Sequence, residues 1–155
     1  MRLTVLAVGQ REDPWVNTAV KDYLARFPKG FTVELRELKI EPRAGQTPQK
    51  LMQAEARRIE KSLDPDDVLV VLDERGRDLT TVEFADRIAR WKDEARNVTF
   101  VIGGPDGLDA AFKKKADFSM RLSSMTLPHA IARVLLCEQL YRAWSILNNH
   151  PYHRA

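Results

Sequence analysis

Val98-Thr99-Phe100-Val101-Ile102-Gly103-Gly104-Pro105-Asp106-Gly107 joins a five-residue run, apolar except for Thr99, to a turn made of three glycines, a proline and an aspartate. A strand with almost nothing polar on either face is covered on both, as interior strands of a parallel sheet are. Glycine removes the Cβ, so the backbone can turn sharply and a ligand can approach it closely, while proline stiffens the turn. In open α/β sheets, ligands gather at such strand ends. The stretch therefore argues for a parallel α/β fold and marks the first place to look for a site. Taken alone it also reads as a tight structural turn. It is neither a GxGxxG fingerprint nor a P-loop, since no Gly-Lys-Ser/Thr follows.

Outward from it, strands are expected over Leu3 to Val8, Phe31 to Ile40, Val68 to Asp73 and, shorter, Phe118 to Leu122. Val68-Leu69-Val70-Val71-Leu72 is as continuously apolar as Val98 to Ile102, so these two belong at the centre. Helical periodicity fills the gaps. One helix runs from Pro14 to Phe27, with Asp13 placed as N-cap before a first-turn proline, and another from Thr47-Pro48 to Leu63. A third opens on the capping-box spacing Thr80 to Glu83 and reaches about Ala95; the last runs from Pro128 to Asn149. Strand and helix alternate almost from end to end, which predicts one α/β domain over residues 1–155, a mostly parallel sheet flanked by helices. In the last helix, Leu136, Cys137, Leu140, Ala143, Trp144 and Leu147 form a broad core stripe. Ile131, Val134 and Leu135 form a smaller patch on another face, bordered by Glu138, Gln139 and Arg142, which suits a partner subunit. Glu41 to Gln46 reads as a loop.

The 155 residues, 44% hydrophobic and 30% charged, have the composition of an ordinary globular domain and exclude a mainly disordered chain. The apolar N-terminal run is too short to span a membrane and no small-residue cleavage site follows it. With Cys137 as the only cysteine, there is no internal disulfide and no thiolate zinc cage, which fits a reducing cytoplasm. Twenty-five Lys and Arg against 22 Asp and Glu give a formal net charge of +3, which permits a nucleic-acid partner without requiring one.

Two further strand ends carry the same kind of signal. Leu72-Asp73-Glu74-Arg75-Gly76 ends one, and Leu122-Ser123-Ser124-Met125-Thr126-Leu127-Pro128-His129 ends another. Three converging loops could wall one pocket, and the last, mixing apolar side chains with short hydroxyls and free amides, would suit an adenine ring. Asp73 and Glu74 could act as acid and base, but adjacent strand residues point to opposite faces. Lys113-Lys114-Lys115 reads as a solvated helix face, with an RNA phosphate contact as the other reading. The ending His150-Pro151-Tyr152-His153-Arg154 concentrates aromatic, imidazole and guanidinium chemistry where chains are commonly disordered. It is either a docked structural tail or functional. No carboxylate or cysteine lies close enough in sequence to complete a metal set with His150 and His153, so no metal is expected.

Taken together, Val8-Gly9 with Trp15, Leu72 to Gly76, Ile102 to Leu108, and the run Leu122 to Arg154 carry a family resemblance. That run includes Leu127-Pro128-His129-Ala130-Ile131-Ala132-Arg133, Glu138-Gln139-Leu140-Tyr141-Arg142-Ala143 and the His-Pro-Tyr-His-Arg ending. The chain resembles, over essentially its full length, the large-subunit ribosomal RNA methyltransferases of the knotted SPOUT class. The resemblance implies a C-terminal trefoil knot, which no reading of periodicity would propose because knots are rare exceptions to chain topology. It also implies a homodimer that uses S-adenosylmethionine to methylate N3 of a pseudouridine in large-subunit (23S) ribosomal RNA. By motif matching it implies cofactor contacts from Leu72, Gly103, Leu122, Ser123, Ser124, Met125, Thr126 and Leu127. The same transfer puts His129, Tyr152, His153 and Arg154 near the reacting base.

Expected roles follow. The imide N3 carries a proton, so His129 or His153 is expected to accept it while Arg154 stabilises charge developing on a base carbonyl. A small domain of weak net charge does not grip naked RNA tightly, which makes the assembled ribosome or subunit the expected substrate, met by one subunit's pocket and the other's tail. Two rivals stand beside this reading: a non-catalytic, ribosome-associated RNA-binding protein with a structural glycine turn, and a SPOUT methyltransferase acting on transfer RNA. The second would require an RNA-binding surface or extra domain that so short a chain is expected to lack.

Overall fold

Val98–Ile102 forms the middle strand, β4, of a five-stranded sheet in a computed structural model that describes residues 1–9 and 13–154. Strands β1 (Arg2–Val8) and β3 (Val68–Asp78) flank it, and β2 (Thr32–Leu38) and β5 (Phe118–Arg121) form the edges, in the order β2-β1-β4-β3-β5. Every pairing is parallel. All five residues of β4 are buried, which is what its continuous apolar run requires.

The side-chain alternation of the strands divides the core in two. Leu3, Val5, Ala7, Phe100 and Ile102 point to one face, where α1 (Pro14–Leu24), α3 (Thr81–Asp93) and α5 (His129–Leu147) supply Val16, Val20, Phe84, Ile88, Leu136 and Leu140. Leu6, Val8, Val71 and Val101 point to the other, covered by Ala56 and Ile59 of α2 (Pro48–Ser62) and Phe112 of α4 (Ala110–Lys114). The flanked parallel sheet expected from the alternation of elements is what forms. Among the described residues no helix is long and apolar enough to cross a membrane.

The local signals held where their chemistry was specific. Thr80 and Glu83 make the reciprocal capping box, with Glu83 N–H on the Thr80 hydroxyl at 3.1 Å and Thr80 N–H on the Glu83 carboxylate at 3.0 Å. Asp13 occupies the N-cap of α1, but its side chain makes no capping hydrogen bond. The short α4 adds a fifth helix, and its lysines are not simply solvated: Lys113 meets Asp73 at 3.3 Å and Lys115, just past its end, meets Glu60 at 2.7 Å.

The largest departure lies in β3, which continues to Asp78 instead of ending at Asp73. Its pairing with β5 shifts register between Leu72 and Arg77, both of which oppose Met120, so Asp73 to Gly76 form an excursion from the ladder. The chain can rejoin β5 because Gly76 has no side chain. A Cβ there would lie 2.5 Å from the Met120 carbonyl carbon and 2.6 Å from its nitrogen. The α5 stripe also differs. Leu136, Cys137, Leu140 and Ala143 are buried as expected, but Arg133, Tyr141 and Ser145 are buried with them, while Trp144 and Leu147 remain partly exposed.

Candidate functional site

The excursion that interrupts β3 after Leu72 and the loops that leave the C-terminal ends of β4 and β5 meet around a cleft of about 620 Å³. Leu72, Ile102, Leu108, Leu122 and Leu127 give it apolar wall; Asp73, Glu74, Asp106, Lys113 and Arg121 give it charge. Of the eight residues assigned to cofactor binding, Leu72, Gly103, Leu122, Ser123, Met125, Thr126 and Leu127 line it. Ser124 lies exposed on the same loop without lining the cleft.

Each wall is shaped by a local rule. The glycine turn closes through Gly107 N–H on the Gly104 carbonyl at 2.9 Å, with Gly107 in the left-handed region at φ 86° that glycine takes without strain. A Cβ on Gly103 would come within 2.9 Å of the Gly107 carbonyl carbon and the Leu108 side chain, so the turn is as tight as its backbone allows. In the loop after β5, the Ser123 hydroxyl accepts the Met125 N–H at 2.9 Å, and Met125 stands 77% exposed beside the cleft. Asp73 is held by Lys113, and Asp106 by Arg43 at 2.6 Å, so neither carboxylate is a bare acid or base.

Behind the glycine turn sits a residue that the reading of the sequence passed over. Glu55 of α2 is 2% exposed; its Oε2 accepts the Glu41 N–H at 3.2 Å, while Oε1 has no hydrogen-bond partner. Burial pushes its carboxyl above the ordinary range, against the pull of the Glu41 N–H and Arg43. Arg133 of α5 is likewise buried, donating to Glu37 at 2.7 Å and to the Gly9 carbonyl at 3.0 Å, and so ties the start of α5 to the ends of β1 and β2. Both had a legible signal. Glu55 stands in register with Leu51 and Ile59, and Arg133 with Leu136, Cys137 and Leu140, so each is a charge placed on a core-facing stripe.

The four residues assigned to catalysis divide. His129 opens α5 and lines the cleft. The turn of 3₁₀ helix Pro151–Arg154 lies beyond the other end of α5, and 19 helical residues put about 27 Å between those ends. There the tail is fastened to its own chain. The Tyr152 hydroxyl donates to Glu138 at 3.0 Å and lies 3.0 Å from the Tyr23 hydroxyl; burial, followed by these two bonds, raises its ionisation far above the usual phenol. The Ser145 hydroxyl meets His153 Nδ1 at 2.8 Å and accepts the His153 N–H at 3.1 Å. His150 Nδ1 accepts the Tyr152 N–H at 3.2 Å. Arg154 is exposed. Within one chain, then, His129 and the tail do not share a site. Among the described residues no group of three His, Cys, Asp or Glu could hold a metal ion. Cys137 is no nucleophile either, since burial pushes its thiol up to about 12.

The cleft fits a nucleoside-sized ligand: its volume lies within the range of small-molecule sites, and its wall mixes apolar side chains with polar and charged ones. Residues 1–153 match the family described as predicted SPOUT methyltransferase. The chain is 56% identical over 156 residues to the ribosomal RNA large subunit methyltransferase H of Bordetella pertussis, covering 100% of both chains. It is 51% identical over 154 residues to the protein of the same name from Dechloromonas aromatica, covering 99% of each. Among solved structures, a probable methylase family protein from Haemophilus influenzae Rd KW20 superposes with a TM-score of 0.56 at 18% identity, covering 97% of this chain and 69% of that one. That likeness concerns the fold alone.

Proposed function

The chain belongs to the SPOUT methyltransferase family, and from that premise we propose that it methylates large-subunit (23S) ribosomal RNA with S-adenosylmethionine as donor, at N3 of a pseudouridine. Membership carries with it the C-terminal trefoil knot of the fold class. The enzyme acts as one domain, residues 1–155, in a cytoplasmic homodimer on the assembled ribosome. The observation that supports the donor site best is the convergence of Leu72, Gly103 and the Leu122 to Leu127 loop on one cleft.

The donor supplies a methyl carbon already activated by a sulfonium, so what the protein contributes is alignment and proton handling. Leu72, Leu122 and Leu127 offer an apolar slot, and the loop backbone around Ser123 to Thr126 offers hydrogen bonds to the edge of a flat heteroaromatic ring. The tight turn at Gly103, packed on Gly107 and Leu108, fixes the glycine wall of the cleft. The acceptor N3 must lose its proton, and His129, which lines the cleft, accepts it in this proposal, with His153 as the alternative. Arg154, exposed at the tail, is the cation that stabilises charge on the base carbonyl.

Because about 27 Å of α5 separates His129 from Tyr152, His153 and Arg154, the complete site joins the cleft of one subunit to the tail of the other. The exposed side chain of Leu135, with Ile131 and Val134 partly exposed near it, gives α5 a face for that partner.

The test is transfer of labelled methyl from S-adenosylmethionine to ribosomes lacking the modification, followed by mapping of the labelled nucleoside. Label at N3 of a pseudouridine is expected. Donor binding with label on transfer RNA instead would favour the transfer-RNA reading, and no donor binding at all would favour the non-catalytic one. Deproteinised RNA methylated as fast as ribosomes would overturn the assembled substrate.

A further inference from the structure

We propose that Glu55 is a positioning residue for the donor site: its carboxyl, packed behind Gly104, holds the Gly103–Gly107 turn in the shape that walls the cleft. The inference rests on the reading of that cleft as the donor site.

The contact is direct. A Cβ on Gly104 would lie 2.9 Å from Glu55 Oε1 and 3.5 Å from its carboxyl carbon, so the buried carboxyl fills the space where any other residue would put a side chain. Its second oxygen fastens the loop after β2 by accepting the Glu41 N–H at 3.2 Å. Two residues on, Arg43 of that loop grips Asp106 at 2.6 Å, and Asp106 belongs to the glycine turn. Glu55 therefore touches the turn from behind and also anchors the strap that holds it from the side.

The surroundings favour the neutral form over the anion. Oε1 is buried and has no partner, a placement that costs a carboxylate much more than a neutral carboxyl. Around it, Glu41 and Arg43 face it from the loop after β2 and Asp106 from the glycine turn; on its own helix Arg58 is engaged by Glu41 at 2.6 Å. Arg43, the cation that could offset an anion here, is itself committed to Asp106. Burial, with the carboxylates of Asp106 and Glu41 adding to it, pushes the Glu55 carboxyl above its ordinary range, against the opposing pull of the Glu41 N–H and Arg43. The sign follows. The neutral carboxyl persists below the raised midpoint; as pH rises through it, an unpaired anion forms behind Gly104 and the turn loosens.

The test is the affinity of the full-length protein for S-adenosylmethionine by titration calorimetry, from pH 4.5 to 8.5, for wild type, Glu55→Gln and Glu55→Ala. Glutamine keeps the shape and cannot ionise. The ratio of Glu55→Gln to wild-type affinity is expected to rise with pH, by up to about tenfold per unit above the midpoint, and taking the ratio cancels titration of the donor's own groups. Glu55→Ala, with folding checked by circular dichroism, is expected to bind about tenfold or more weakly at every pH. A ratio that stays flat across pH would overturn the preference for the neutral carboxyl, and a folded Glu55→Ala that binds as tightly as wild type would overturn the positioning role. If the wild type binds no donor at any pH, the donor reading falls and this inference with it.

Discussion

The cleft and the tail sit at opposite ends of α5 and are held by opposite means. The cleft is shaped by backbone: Gly103 packed against Gly107 and Leu108, Gly104 against Glu55, and Gly76 against Met120, each at a distance where a single added carbon collides. The tail is held by side-chain bonds: Tyr152 to Glu138 and Tyr23, and Ser145 to His153 and the His150 carbonyl. A cradle made of steric fit fails when an atom is added, whereas a docked segment fails when a hydrogen bond is taken away. The difference also says which part must recognise a fixed ligand and which can be presented to a changing partner.

The sharpest way to break the comparison is to ask whether the two regions work together across subunits. Arg154→Ala alone is expected to lower methyl transfer to ribosomes by about a hundredfold or more while leaving donor affinity intact. A cleft variant such as Gly103→Ala should lose donor affinity instead, since its Cβ meets Gly107 at 2.9 Å. Mixed dimers of the two are expected to recover activity to about a quarter of wild type, because about half the dimers are hybrid and each hybrid carries one intact site. Recovery absent from a mixture shown by mass spectrometry to contain hybrid dimers would mean that the tail acts elsewhere.

Gly76→Ala measures the steric side of the contrast. Its Cβ would lie 2.5 Å from main-chain carbon that no rotamer change can move, so chemical denaturation should report a loss of about 3 kcal/mol, the upper end for overpacking. Ser145→Ala measures the other side. Removing that hydroxyl leaves the His150 carbonyl, His153 N–H and His153 ring to water, at a cost of about 1 kcal/mol, with faster amide exchange confined to Pro151–Arg154. If Ser145→Ala proves the more damaging of the two, the contrast between the regions is wrong.

What could be read in the sequence follows the same division. Val98 to Ile102 is apolar on both faces and could only be an interior strand, and Thr80 with Glu83 named a helix start that formed as written. The cleft was legible because glycine turns and strand ends are local signals. The continuation of β3 past Asp73 was not, since Glu74, Arg75 and Gly76 carry no strand propensity and leave the ladder, and Arg77 and Asp78 rejoin it only because Met120 and Arg121 of β5, distant in sequence, receive them. The docking of the tail on Tyr23 and Ser145 is also a tertiary event, and no spacing within the tail encodes it. Glu55 and Arg133 stood in plain view as charges on apolar stripes; their partners, Gly104 and Gly9, lie far off in the chain.

The lone thiol of Cys137 is fully buried in α5, at the level where that helix packs on the sheet, with its ionisation raised to about 12. In kinetic terms it is a clock. A thiol-reactive dye at neutral pH has no path to it in the folded protein, so labelling proceeds only as often as α5 leaves the core. The half-time of labelling therefore measures the lifetime of the packed C-terminal helix, and with it the persistence of the fold on which cleft and tail both depend.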